Sequence, residues 1–408
     1  MFRRRRQAPE AEAAPKYHTL IAWESGQVRA AVVQVEQGTA QLLGVAGAPV
    51  HGISRTSHPD LDRWLAGCEK ALTQAEEMTR SCCPRKVIPD EVTMGVPAEI
   101  TESLPLVVSR RRSEPKNAVT LEELRSLSQR GYRQAQDLLH AAPSSPSRDL
   151  IWGTVAQILL DGQPVTDPLG LRAEQVELRL HFATAPLEWL RTLEIIAQRL
   201  QLRLLGLVPQ QMALAATLSE PAALLIVVDE HYSSLSLVRH GRVESSALVE
   251  LGEREIIAAT AEALNLHGRQ ADALMRAYRA QQLREEVEAQ LARAFWVELR
   301  RWMQALAQKA KVAARNAPVP DRVYLLDLTR RLPEALLSLR TAFWQEQVGT
   351  ARRPQVTDWS EGAVRNVLDC TGQAAEVNLL PLRALAYYVA EVYGPGGDLD
   401  RALLETIR

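Results

Sequence analysis

Apolar positions in this chain change their spacing several times, and each change predicts an element. From Leu20 to Gly47 a run of short strands is expected, with Val28, Ala30, Val32 and Val35 along it and turns at Gly26 and Gly38. From about Asp60 to Ser81 the period lengthens, and Leu61, Leu65, Cys68, Leu72, Ala75 and Met78 fall on one helical face. Val87–Val96 reads as a strand. Thr120-Leu121-Glu122-Glu123 reads as a capping box, in which hydroxyl and carboxylate satisfy each other's orphan amides, opening a helix to about His140. The Pro/Ser segment Ala141–Arg148 reads as a loop.

Asp149–Leu218 predicts an apolar strand, a turn at Asp161-Gly162 and a second turn at Asp167-Pro168-Leu169-Gly170. An alternating strand follows, with Val176, Leu178, Leu180 and Phe182 on one face and Glu177, Arg179 and His181 on the other, and then an amphipathic helix. Beyond it, Ala223–Asp229, Leu235–Val238 and a segment near Ser245 after the turn Gly241-Arg242 read as strands, with helices from about Arg254. One long helix is expected over Asp272–Ala314, its stripe of Leu283, Val287, Leu291, Phe295, Leu299, Trp302 and Leu306 forming a core face. Val323–Leu326 reads as a buried strand, and Leu382–Tyr393 as a closing helix ended by Gly394-Pro395-Gly396-Gly397.

At 408 residues the chain exceeds what one core usually serves, so two or more domains are expected. A net charge of −1 gives no case for nucleic acid as a partner. Cys68, Cys82, Cys83 and Cys370 form no C-x-x-C pair and have no His at metal-ligand spacing, which argues against a zinc site or a disulfide framework and for a reducing, cytoplasmic setting. Adjacent Cys82 and Cys83 read as two ordinary thiols at a helix end. The longest apolar run, Ala222–Val228, is of strand length, far below the roughly 20 residues a membrane span needs. The start MFRRRRQAPEAEAAP lacks the apolar core of a secretory signal. No P-loop, G-x-S-x-G, H-E-x-x-H or G-x-G-x-x-G is present, so no catalytic residue and no metal ligand is assigned.

The stretch DGQPVTDPLGLRAEQVELRLH, Asp161 to His181, resembles the bacterial cell-division protein FtsA, an actin-like ATPase homologue. The resemblance implies an α/β, two-lobed actin-like (ribonuclease-H-like) fold with an FtsA/PilM-type subdomain inserted in the first lobe. On that basis residues 1–16 form a disordered basic tail, 17–85 and 169–208 the first lobe, and 86–168 the insertion. Residues 209–256 and 319–375 form the second-lobe core, 257–318 an abbreviated helical subdomain, 376–395 the closing helix of the first lobe and 396–408 a tail. His181 matches a strand histidine of the family and is expected to be structural.

Actin-like ATPases hold ATP with glycine-rich loops, because backbone amides must approach phosphate closely, and with carboxylates that organise Mg²⁺. The first family loop resembles acid-x-Gly-Thr-x-Lys-Val. Aligned through Val28, this chain puts Ala22 at the acid and Glu24 at the glycine; a one-residue slip makes Glu24 the acid and Gly26 the glycine. A glutamate at the glycine position would repel phosphate by about 1 kcal/mol in water and about 4 kcal/mol at an intermediate dielectric. The second loop, Asp-Ile-Gly-Gly-Gly-Thr-Thr-Asp-Ile in the family, is here Asp229-Glu230-His231-Tyr232-Ser233-Ser234-Leu235-Ser236-Leu237. The third, Leu-Thr-Gly-Gly-Gly, is Leu325-Leu326-Asp327-Leu328-Thr329. The expectation is a pseudo-ATPase with no cofactor, in which Glu24, Ser25, Gly26, Asp229, Ser233, Ser234 and Asp327 are remnants of the ATP loops. ATP with Mg²⁺ is the cofactor should that expectation fail.

FtsA tethers FtsZ filaments to membrane and polymerises. The segment Ile257–Pro318 lacks the strand pair of the family's tail-binding subdomain, so the FtsZ contact does not carry over by motif. The end of the chain offers Leu399, Leu403, Leu404 and Ile407 but no bulky aromatic, whereas Phe2, Arg3, Arg4, Arg5 and Arg6 suit contact with an anionic membrane surface. Three readings follow. The first is a cell-division scaffold acting through protein contacts, with FtsZ and other division or membrane-associated proteins as partners; the DP-LGL segment favours it. The second is a PilM-like adaptor of a type IV pilus or secretion apparatus, holding a peptide of an inner-membrane partner. The third is a working ATPase that forms nucleotide-dependent filaments. Self-association suits the fold in each case, and the expected location is cytoplasmic, at the inner face of the membrane where it is tethered.

Overall fold

In the computed structural model the described residues are 16–24, 26–50, 60–141, 147–266, 269–315, 317–359, 364–373 and 379–393. Ser25, the arginines of the N-terminal tail, Gly394–Gly397 and the C-terminal segment lie outside them.

The first lobe opens as an antiparallel meander of β1 (Lys16–Glu24), β2 (Gln27–Glu36) and β3 (Thr39–Pro49). Its turns are where sequence places them: Gly26 and Gly38 have φ of 72° and 79°, a region open to glycine without steric cost. Helix α1 (Leu61–Met78) starts where Asp60 accepts the Arg63 amide at 3.2 Å, and it buries Trp64, Cys68, Ala71, Leu72 and Ala75 on the sheet. Strand β4 (Glu91–Val96) then runs parallel to β1.

The chain leaves the lobe to build β5 (Glu102–Arg111), α2 (Leu121–Ala141), β6 (Arg148–Leu160), β7 (Gln163–Val165) and β8 (Gln175–Pro186), whose sheet order is β5-β8-β6-β7. Sheet membership therefore divides the chain near 97 and 186, not at 86 and 168: β4 belongs to the first-lobe sheet and β8 to the inserted one. Linear pattern cannot show this, because the apolar spacing of a strand does not say which neighbour it bonds. The chain returns through α3 (Leu187–Arg199), β9 (Arg203–Pro209) and α4 (Gln210–Ala216).

The second lobe comprises β10 (Ala222–Val228), β11 (Ser233–Arg239), β12 (Arg242–Val249), α5 (Glu253–Ala263), α6 (Arg269–Arg279), α7 (Glu285–Ala314), β13 (Arg322–Asp327), α8 (Pro333–Leu339), α9 (Ala342–Val348) and β14 (Gln355–Asp358). Its sheet runs β12-β11-β10-β13-β14. Strand β15 (Val367–Asp369) and helix α10 (Leu380–Tyr393) rejoin the first lobe, whose sheet is β15-β3-β2-β1-β4-β9. Helices α4 and α10 lie between the two large sheets in one shared core, with Leu20, Ala22 and Leu42 from one lobe and Leu225, Val227 and Leu326 from the other.

Three sequence expectations change. The single helix Asp272–Ala314 is two, because α6 ends at Arg279 and the chain turns at Gln281, with φ of 54°, while the Gln282 amide reaches back to the Ala277 carbonyl at 2.9 Å. The capping box is half formed: Thr120 Oγ1 accepts the Glu123 amide at 3.3 Å, but the Glu123 carboxylate is taken by buried Arg112 at 2.9 Å. His181 is fully buried although its neighbours Glu177 and Arg179 reach solvent. The reason is tertiary: the end of β8 packs against β12, where Ser103 Oγ bonds the His181 ring and accepts the Ser246 amide at 3.2 Å.

Candidate functional site

The three loops that would surround a nucleotide divide between the lobes. In the first lobe, Glu24 ends β1 opposite Gln27, and the Gly26 carbonyl accepts the Val50 amide at 2.7 Å. Ala22 is wholly buried beside Gly95, and Gln210 Nε2 donates to the Trp23 carbonyl at 2.8 Å. This hairpin is thus tied to α4 by a buried amide hydrogen bond.

The β10–β11 turn of the second lobe is closed on itself. Asp229 is buried; its amide donates to the Tyr232 carbonyl at 2.9 Å and its Oδ1 accepts the Glu230 amide at 2.7 Å. The Glu253 and Arg254 amides, at the start of α5, donate to the carbonyls of Asp229 (3.0 Å) and Glu230 (2.8 Å). A helix N-terminus offers several orphan amides, and these are the groups that bind anions in phosphate sites; here two of them are spent on the turn. Gly252 makes the approach possible. A Cβ there would stand 2.5 Å from the Glu230 carbonyl oxygen and 2.6 Å from that of Asp229. Beneath the turn, Ser233 donates to the Leu251 carbonyl at 2.7 Å and accepts the Trp302 indole N–H at 2.9 Å. Ser234 is buried in the ladder opposite Val227.

The third loop is organised by one carboxylate. Asp327 Oδ1 accepts the Thr329 amide (3.0 Å), the Thr329 hydroxyl (2.7 Å) and the Arg330 amide (3.1 Å), while Oδ2 accepts the Leu332 amide at 2.9 Å. The Leu328 amide donates to the Val228 carbonyl at 3.0 Å, joining this loop to β10. Between the two loops, Glu253 meets Arg279 at 3.1 Å and Arg331 at 4.0 Å. Burial pushes the Glu253 carboxyl above its usual range; Arg331 and Arg279 oppose that rise, and Asp327 adds to it.

The structure thus gathers Asp229, Ser233, Ser234 and Asp327 at one end of the second-lobe sheet, with Gly26 on the other lobe. Gly252, Glu253, Arg279, Trp302 and Arg331 belong to the same cluster; sequence marked Trp302 only as a core residue and did not single out the other four. A glycine directly before Glu253 and a helical pattern was the one available signal. Among the described residues no group of three or more His, Cys, Asp or Glu is placed to hold a metal ion.

No protein-family model matches the chain, and no curated protein matches it by sequence. By structure it is similar to a chain of the PilM–PilN type IV pilus biogenesis complex, with a TM-score of 0.60 and 15 % identity over 94 % of this chain and 100 % of that one. It is also similar to the ethanolamine utilization protein EutJ from Carboxydothermus hydrogenoformans, with a TM-score of 0.46 and 9 % identity over 92 % and 91 % of the two chains. The fold is a mixed α/β, two-lobed actin-like ATPase fold.

Proposed function

We propose that this chain is a PilM-like adaptor of a type IV pilus or a related secretion apparatus, an actin-like scaffold that binds a peptide of a membrane-anchored partner and no ATP. The likeness to a chain of a pilus biogenesis complex runs the whole length of that chain, insertion included, which supports this reading over a fold shared in one lobe alone. The carrying observation is the closed β10–β11 turn. Phosphate binding needs free amide donors at close approach, and here the Glu230, Glu253, Arg254, Thr329, Arg330 and Leu332 amides are bonded within the protein. Asp229, Glu253 and Asp327 would add like charge beside a polyphosphate. No helix among the described residues is long and apolar enough to cross a membrane.

The division-scaffold reading rests on the Asp161–His181 stretch, and Asp161, Gly162, Asp167 and Gly170 within it each have a local structural task. Asp161 Oδ1 accepts the amides of Glu174 (2.9 Å) and Gln175 (2.8 Å), Gly162 and Gly170 have φ of 80° and 82°, and Asp167 accepts the Leu169 amide at 3.3 Å. Such a pattern specifies the fold of the insertion and names no partner. The adaptor reading is therefore favoured.

Two measurements on the purified chain test it. Calorimetry with Mg·ATP is expected to show no heat at millimolar nucleotide. Co-purification with the cytoplasmic segment of a membrane protein encoded beside it is expected to give a stable complex. Micromolar ATP binding would overturn the pseudo-ATPase part, and capture of FtsZ in place of the membrane protein would overturn the adaptor part.

A further inference from the structure

Three of the four cysteines meet at one place on the surface. Cys82 and Cys83 follow the 3-10 turn Thr79–Ser81 at the end of α1, and both amides donate to the Thr79 carbonyl, at 3.0 and 2.8 Å. Cys370 follows β15, its amide held by the Leu42 carbonyl at 3.0 Å. The Cys82 thiol donates to the Cys370 carbonyl at 2.9 Å, across a sequence separation of 288 residues. Cys82 and Cys370 are exposed and Cys83 is half-buried, while Cys68 lies in the core of α1.

We propose that Cys82 and Cys370 are a modification site: they close a reversible intrachain disulfide by exchange with a low-molecular-weight disulfide of the glutathione type. The geometry selects this pair. Neighbouring Cys82 and Cys83 share one turn, where an unstrained bridge is hard to reach, whereas Cys82 and Cys370 approach from separate elements whose backbones are each fixed by a hydrogen bond. In the first step Cys82 loses its proton to solvent and its thiolate attacks one sulfur of the small disulfide, breaking that S–S bond. One small thiolate leaves and takes up a proton. The Cys370 thiolate, its proton also lost to solvent, then attacks the Cys82 sulfur of the mixed disulfide and expels the second small thiol. Two protein thiols are oxidised by two electrons, and one small disulfide is reduced to two thiols. Burial raises the Cys370 pKa, and Cys82, Asp369 and Cys83 raise it further, so the Cys370 thiol is held protonated and the resolving step is the slower one. The closed form would staple the end of α1 to the strand that leads to α10. It would also close a loop over most of the chain, and long loops gain most from a cross-link.

The test is titration of the full chain with oxidised glutathione, followed by tryptic mass spectrometry without reduction and by thermal unfolding. Expected is a cross-linked peptide joining Cys82 to Cys370, lost on adding reductant, and an unfolding midpoint raised by several degrees in the oxidised form. Cys83→Ser should keep the link, and Cys82→Ser and Cys370→Ser should each abolish it, with circular dichroism confirming that all three fold. A link confined to Cys82 and Cys83, an interchain link, or glutathione adducts on Cys82 and Cys370 that never resolve to a bridge would each overturn the assignment.

Discussion

Trp302 donates its indole N–H to Ser233 Oγ over 2.9 Å, and Ser233 donates onward to the Leu251 carbonyl over 2.7 Å. Trp302 belongs to the buried stripe of α7, so this two-step link ties the β10–β11 turn to the core of the second lobe. The turn is held in place by backbone and side-chain bonds to its own lobe.

Ser233→Ala removes both bonds and leaves a buried indole N–H without its partner. A buried donor left unsatisfied costs about 1–3 kcal/mol, and the denaturation midpoint should fall accordingly. Trp302→Phe in the Ser233→Ala background should add less than it does alone, because the N–H is already orphaned. Equal costs in both backgrounds, measured by chemical denaturation, would sink the coupling.

Gly252→Ala should destabilise by about 2–3 kcal/mol, as overpacking against rigid backbone does. The neighbours are main-chain atoms of Asp229, Glu230 and Tyr232, which cannot turn aside as a side chain can. Gly206→Ala is the control: nothing stands within 4 Å of a Cβ there, and a change within about 0.5 kcal/mol is expected. Similar losses at both sites in thermal unfolding would mean the close approach at Gly252 is not what makes that residue necessary.

His181 gives the fold an acid-sensitive point. Burial lowers its pKa from 6.5 to about 3. An unfolded chain therefore binds a proton below about pH 6.5 while the folded chain does not until about pH 3, so stability is full above that window and falls as pH drops through it. The slope from this residue is at most about 1.4 kcal/mol per pH unit. His181→Gln, which retains a polar partner for Ser103, should flatten the decline of stability between pH 6.5 and 4. An unchanged slope would locate the acid sensitivity in other groups.

Much of the architecture is legible along the chain because strand and helix periods are local. The meander with turns at Gly26 and Gly38, helix α1 from Asp60, strands β10 and β13 and the α7 stripe all sit where apolar spacing puts them. The absence of glycines at residues 230–234 and 327–328 is equally plain in the sequence.

Other features depend on residues that sequence does not place side by side. The break before α7 occurs near Gln281, which stands at φ of 54° without being a glycine, so no turn residue announces it. Glu123 leaves its cap for Arg112 because the β5 turn brings a buried guanidinium within 2.9 Å. The burial of His181, the spending of the α5 amides on the β10–β11 turn and the meeting of Cys82 with Cys370 each join distant segments. Periodicity and turn chemistry act over a few residues and can be read in order. Sheet membership and the fate of each loop amide are set by which surfaces meet when apolar area is buried, and that only the folded chain decides.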